Sequence, residues 1–116
     1  MGNRILVVDD EKEIADVIEL YLKNEGFEVE KFYTGKDAIV SIEKAAPDMA
    51  LLDVMLPEED GISILKKLRT RPDTRKLPII MLTARGDERD ELLGFDLGVD
   101  EYISKPFSPK ILVARV

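Results

Sequence analysis

Met49-Ala50-Leu51-Leu52-Asp53-Val54-Met55-Leu56-Pro57 is a short apolar run that carries one carboxylate and then breaks. A run this apolar reads as a strand buried on both faces. Asp53 falls where such a strand leaves the sheet, and Pro57 prevents the strand from continuing. One acidic side chain is thereby held at the lip of a core strand. Taken alone this means little, because Asp at a strand end commonly serves as a turn former.

Working outward, the same pattern recurs. Arg4 to Val8 is an apolar run ending in Asp9-Asp10. Glu11 to Glu25 then places Ile14, Val17, Ile18, Tyr21 and Leu22 at helical spacing, with Gly26 as a C-cap. Phe27 to Phe32 is strand-like. Thr34-Gly35 opens a second helix carrying Ala38, Ile39, Ile42 and Ala45, closed by Pro47. After the Asp53 strand, Asp60-Gly61 starts a third helix with Ile62, Leu65 and Leu68. Residues 69–76 are polar and basic and read as a loop. Pro78 to Leu82 is a fourth strand ending at Thr83-Ala84. A fourth helix is predicted over 87–97, softened by Gly94. Glu101 to Ser104 is a fifth strand, stopped by Lys105-Pro106. Ser108-Pro109 caps a last helix of scarcely two turns before Val116.

Five alternations of strand and helix with short connections predict a parallel sheet with helices on both faces, an α/β fold of three layers. The 116 residues fit one domain with one core. No apolar run reaches membrane-spanning length, and no secretory signal follows Arg4, so a cytoplasmic protein without membrane attachment is expected.

Composition narrows the chemistry. Cys and His are both absent. That excludes disulfides, thiolate and imidazole zinc sites, and Ser-His-Asp triads. A metal would need oxygen ligands, which points to a hard cation such as Mg²⁺. The net charge of −7 argues against this segment gripping a nucleic-acid backbone by itself.

In open parallel sheets, ligands bind at the carboxyl ends of the strands. Those ends carry Asp9 and Asp10, Asp53, Thr83 and Lys105. Each has an ordinary structural explanation. Asp10 with Glu13 fits a variant capping box, Asp9 a turn, Thr83 a helix cap and Lys105 a solvated surface cation. Their joint occurrence at successive strand ends points instead to one site. Three carboxylates brought together would repel one another unless a cation lay between them. Mg²⁺ suits the set, since it needs few protein carboxylates and bridges to phosphate oxygens.

These residues carry a family resemblance. Asp9-Asp10, Asp53 before Val54-Met55-Leu56-Pro57, Asp60-Gly61, Leu82-Thr83-Ala84-Arg85 and Tyr102-Ile103-Ser104-Lys105-Pro106-Phe107 resemble the receiver domain of bacterial two-component response regulators. The resemblance covers essentially the whole chain, and from Met81 onward it is similar to the OmpR/PhoB subfamily of transcriptional regulators. It implies a flavodoxin-like doubly wound sheet of five strands, order 2-1-3-4-5, with five helices. It also implies that Asp53 takes a phosphoryl group from a phosphohistidine on a sensor histidine kinase. Mg²⁺, with Mn²⁺ as a substitute, would be held by Asp10, Asp53 and the Met55 carbonyl, and by Asp9 through water.

By the same resemblance, Lys105 pairs with Asp53 and then with the phosphoryl group, and the Lys105-Pro106 bond is cis. Thr83 and Tyr102 are the switch residues. The surface of the fourth helix, fifth strand and fifth helix forms a homodimer on activation, with Asp96, Glu101 and Arg115 across it. This chain departs from the subfamily at Glu91 and Ile111, where a basic residue and an acidic partner are expected, so its salt-bridge pattern differs. Met55 and Arg85 sit where the family tunes water access to the phosphoaspartate, and neither is a water-orienting acid or amide, so slow self-dephosphorylation is expected. A winged-helix DNA-binding effector domain is expected C-terminal to residues 1–116.

Four other readings compete. An aspartyl-nucleophile Mg²⁺ phosphohydrolase would carry a second Asp at position 55, where this chain has Met. A degenerate receiver is disfavoured because all five site positions are filled. A stand-alone receiver or phosphorelay adaptor without DNA-binding output is the alternative that the sequence leaves open. A nucleotide-binding flavodoxin-like domain lacks its glycine-rich loop, and Asp9-Asp10 would repel the anion.

Overall fold

The computed structural model describes residues 3–54, 56, 61–84, 101–105 and 108–116; for residues 83, 84, 102, 104, 105, 109, 111 and 115 this covers the backbone only. The elements are β1 (Arg4–Val8), α1 (Lys12–Asn24), β2 (Glu28–Phe32), α2 (Gly35–Lys44), β3 (Met49–Asp53), α3 (Gly61–Thr70), β4 (Ile79–Ala84), β5 (Glu101–Lys105) and α4 (Pro109–Arg115). Here α4 is the fifth helix of the sequence reading. The predicted helix over 87–97 lies outside the described residues.

All strand pairs are parallel, and the order is β2-β1-β3-β4-β5. The expected order 2-1-3-4-5 is therefore found. Strand β3 is the middle strand, and β1 pairs with it in register Ile5↔Met49 through Val8↔Leu52. Because side chains alternate along a strand, the two runs feed two cores. Leu6, Val8, Ala50 and Leu52 pack on one face with Ala38 and Ile42 of α2 and Ile62, Leu65 and Leu68 of α3. Ile5, Val7 and Leu51 pack on the other with Ala15, Ile18 and Leu22 of α1 and Leu112 of α4. This is the predicted three-layer arrangement. It also explains why the interior strands β1 and β3 are continuously apolar.

Local signals set most helix ends. Thr34 Oγ1 accepts from the Asp37 amide at 3.2 Å and caps α2. Gly26, at φ 91°, lies one residue past the C-cap Glu25. There Gly26 N donates to Lys23 O and Phe27 N to Leu22 O, the paired bonds of a Schellman turn. Phe27 is thus spent on ending α1, and β2 begins only at Glu28. Ser108 and Pro109 open α4 as expected, although the Ser108 side chain makes no capping bond.

Several expectations need correction. Val17 is not inward but 40% exposed, because the inward line of α1 runs Ala15-Ile18-Leu22 and Val17 falls on its flank. Ala45 is not helical. It is extended at φ −160°, ψ 119°, and α2 ends at Lys44, in keeping with the bias against helix just before Pro47. Asp10 and Glu13 form no capping box, for the N-cap of α1 is Glu11 and it makes no side-chain cap bond. Strand β3, by contrast, ends at Asp53 as expected. Strand β4 begins at Ile79, one residue after Pro78, and ends at Ala84 as expected, while β5 runs one residue further than expected, to Lys105.

Helix α3 extends through Arg69 and Thr70, so the connection is shorter than residues 69–76. Its polar residues are structural. Arg69 Nη1 donates to Thr74 O and Leu77 O at 3.2 and 2.9 Å. The buried Thr74 hydroxyl donates to Leu68 O at 2.6 Å. The Thr74 bond reaches a carbonyl in the last turn of α3, where backbone acceptors lack helical partners, and the Arg69 bonds tie down the loop that follows.

Candidate functional site

The sheet order brings the carboxyl ends of β1, β3, β4 and β5 to one edge. At the end of β1, Asp9 N donates to Phe32 O at 3.0 Å, locking the ends of β1 and β2 together. The Asp9 side chain is fully buried, and its Oδ1 accepts from Glu11 N at 2.9 Å. That bond takes up an amide at the mouth of α1 and turns the chain into the helix. Asp9 is therefore a turn former as well as a site carboxylate. Asp10 and Glu11 are exposed beside it.

Asp53 is the last residue of β3 and is 3% exposed. Its register partner is Leu82 of β4, and Val54 N donates to Leu82 O at 3.0 Å. On its other side stands Gly61, the first residue of α3. Gly61 N donates to Val54 O at 2.8 Å. A Cβ at Gly61 would overlap the Asp53 carbonyl oxygen and come within 3.0 Å of Val54 Cα. Glycine thus lets α3 start directly against the strand end that carries Asp53. The sequence reading took Asp60-Gly61 as a helix start and as one of the motifs of the resemblance. The feature missed there is a close backbone approach, which a single glycine does signal.

Ligand-capable oxygens of Asp9, Asp10, Glu11 and Asp53 all lie within 4.8 Å of one another. Glu11 was not among the expected ligands, because it was read only as the start of the first helix. Two like charges 4 Å apart repel by about 1 kcal/mol in bulk water and about 4 kcal/mol near a protein surface. Four carboxylates this close form a donor set for a hard, oxygen-seeking cation. The residues present therefore fit Mg²⁺ by ligand type and by spacing.

The backbone places other expected residues at the same edge. Thr83 pairs with Ser104, and Ala84 with Lys105, the last residues of β4 and β5. The side chains of Thr83, Tyr102, Lys105 and Arg115 lie outside the described residues, as do Met55, Arg85, Glu91, Asp96 and the Lys105-Pro106 bond. Ile111 is described in its backbone alone, within α4. Glu101 opens β5 opposite Ile80, at the far end of the strand from Lys105. At the rim, Lys12 Nζ of α1 lies 5.3 Å from the centroid of the Tyr33 ring.

Comparison with known proteins agrees with this geometry. The family model for the response regulator receiver domain matches residues 5–116. Regulatory protein VanRc of Enterococcus gallinarum is 52% identical over the whole chain, which spans 49% of that protein. The chain thus spans about half the length of the curated relatives it matches. A chain described as a response regulator from Chloroflexus aurantiacus superposes with a TM-score of 0.93 at 41% identity, covering 99% of this chain and 94% of that one. The chemotaxis response regulator CheY4 of Vibrio cholerae superposes at 0.90 with 28% identity, each chain fully covered. The chain belongs to the response regulator receiver domain family, and its fold is the CheY-like flavodoxin fold. Receiver domains of response regulators are signalling modules of two-component systems.

Proposed function

We propose that Asp53 is the phosphoacceptor of this receiver and that a sensor histidine kinase is its donor. The observation that carries the reading is a buried carboxylate at a strand end with three further carboxylates within 4.8 Å. An ionised carboxylate attacks phosphorus without a general base. An Asp53 oxygen forms the new P–O bond as the P–N bond of the phosphohistidine breaks, its electron pair passing to the imidazole nitrogen. The rigidity of β3 supports in-line positioning, on which phosphoryl transfer mainly depends.

Mg²⁺ held by Asp10, Asp53, the Met55 carbonyl and, through water, Asp9 would neutralise charge on the transferring phosphoryl oxygens. The exposed Glu11 can add charge to that site from its rim. Lys105 is assigned to a phosphoryl oxygen and Thr83 to the phosphoryl group after transfer. Tyr102 then turns with Thr83 as the switch. Residues Met55 and Arg85 leave the phosphoaspartate long-lived. No turnover of a small substrate is expected.

The finer membership we favour is the OmpR/PhoB-like group, on the motifs quoted above and the likeness to regulatory protein VanRc. In that reading, activation forms a homodimer through the region 87–97, β5 and α4, with Asp96, Glu101 and Arg115 across it. A C-terminal winged-helix domain would then bind DNA. Its test is incorporation of phosphoryl from a small acyl phosphate on a phosphate-affinity gel. Mg²⁺-dependent incorporation that is lost in Asp53→Asn supports the reading. Equal incorporation in that variant refutes the assignment. Sedimentation of the phosphorylated chain that showed no self-association at high concentration would remove the dimer for this segment.

A further inference from the structure

Lys12 stands where a lysine is not expected. It is the first residue of α1, where the helix dipole disfavours a cation. It is also one residue from Glu11 and two from Asp10, and both belong to the carboxylate cluster. A lysine carries its ammonium on a long, flexible stem, and four neighbouring carboxylates would attract it. The structure holds it elsewhere. Lys12 Nζ sits 5.3 Å from the Tyr33 ring centroid, within the range of a cation–π contact.

Tyr33 follows directly on β2, and β2 lies on the opposite side of β1 from β3 and Asp53. The ring is itself fixed, half-buried against the core that α1 covers. The end of β2 is tied to the site by the bond from Asp9 N to Phe32 O. The ring thus draws the one nearby cation on α1's first turn to the side of β1 away from Asp53.

We infer that Tyr33 is a positioning residue for the metal site, parking the Lys12 ammonium so that it does not occupy the carboxylate cluster. This rests on the reading of that cluster as a Mg²⁺ site. An ammonium among the carboxylates would neutralise part of the charge and compete for the ligands that a divalent ion needs. With the ring gone, Lys12 is free to swing toward Asp10 and Glu11.

The test is the Mg²⁺ dissociation constant of the chain, by calorimetry at low ionic strength, with far-UV circular dichroism as a check on folding. Tyr33→Leu is expected to weaken Mg²⁺ binding about two- to five-fold, the factor that an exposed cation–π contact is worth. Tyr33→Phe keeps the ring and the packing and is expected to bind close to wild type. Lys12→Gln together with Tyr33→Leu is expected to restore wild-type affinity, and added salt should shrink the defect of Tyr33→Leu. Unchanged affinity in Tyr33→Leu overturns the inference. So does a double variant as weak as Tyr33→Leu, which would make the ring's role one of packing alone. Failure of the wild-type chain to bind Mg²⁺ overturns the metal site itself, and the inference with it.

Discussion

Gly61 lies so close to Asp53 that no side chain fits between them: a Cβ at position 61 would overlap the Asp53 carbonyl oxygen. The obstacle is backbone on both sides, so neither partner can rotate away. Gly61→Ala must therefore push α3 off β3 or displace the end of β3. A loss of about 1–3 kcal/mol in urea unfolding is expected, the usual cost of overpacking. Phosphoryl incorporation at Asp53 should also slow, since a shift of about 1 Å in a reacting group can cost 10²-fold. Unchanged stability would show that the approach is looser than described.

The carboxylate cluster predicts that metal and stability are linked. A ligand that binds the folded state alone stabilises it by about 2.7 kcal/mol at a hundred times its dissociation constant. Mg²⁺ should raise the melting temperature of the wild-type chain, and Ca²⁺-free, Mg²⁺-free buffer should lower it. Asp10→Asn removes a proposed ligand that is exposed, so the fold should survive while the Mg²⁺-induced shift shrinks. Equal shifts in both proteins would remove Asp10 from the ligand set.

A pH dependence arises at the other end of the sheet. Arg4 Nε donates to Glu30 Oε1 at 2.7 Å, joining β1 to β2. This bond to Arg4 holds the Glu30 carboxyl below its ordinary value of 4.5. A group with a lowered folded-state pKa stabilises the fold above its unfolded value and loses that contribution as pH falls through the folded value. Wild type should thus lose more stability than Glu30→Gln on acidification from about pH 6 to about pH 3.5. The Glu30 side chain is 41% exposed, so the difference should stay under about 1 kcal/mol. Parallel pH profiles in urea melts would contradict it.

Core and surface leucines should behave very differently. Leu52 is fully buried next to Asp53, whereas Leu20 of α1 is 59% exposed. Leu52→Ala should cost about 2–5 kcal/mol. Leu20→Ala should stay within about 0.5 kcal/mol. A large loss at Leu20 would mean that α1 packs on a different face.

Most of the fold was legible because its signals are local and redundant. The runs Ile5-Leu6-Val7-Val8 and Ala50-Leu51-Leu52 are apolar on both faces, which only a covered parallel strand explains. Thr34, Gly26 and Pro109 sit at or beside helix ends for reasons that single residues supply. Errors arose where two signals compete. Val17 shares helical spacing with the core line but lies on its flank, and periodicity alone does not separate the two. The capping box at Asp10 failed because the N-cap of α1 is Glu11, one residue later, and Glu11's own amide goes to the Asp9 side chain.

The site was legible in its acids and less so in its supports. Asp9, Asp10 and Asp53 were found from their strand-end positions, and the structure brings them together. Glu11 was overlooked because it reads equally well as the first residue of a helix. The tertiary roles of Arg4 against Glu30 and of Lys12 against Tyr33 depend on elements apart in sequence. No local pattern encodes such contacts. Arg4 Nη1, for example, also donates to Ala45 O beyond the end of α2.

The most direct test of the central claim is to find which atom takes the phosphoryl group. The chain is incubated with Mg²⁺ and a small acyl-phosphate donor, reduced with borohydride, digested and mapped by mass spectrometry. An acyl phosphate on Asp53 would be reduced to homoserine at position 53 alone, only when Mg²⁺ is present. Reduction at another carboxylate, or at none while intact mass still shows the added phosphoryl group, would contradict Asp53 as the acceptor.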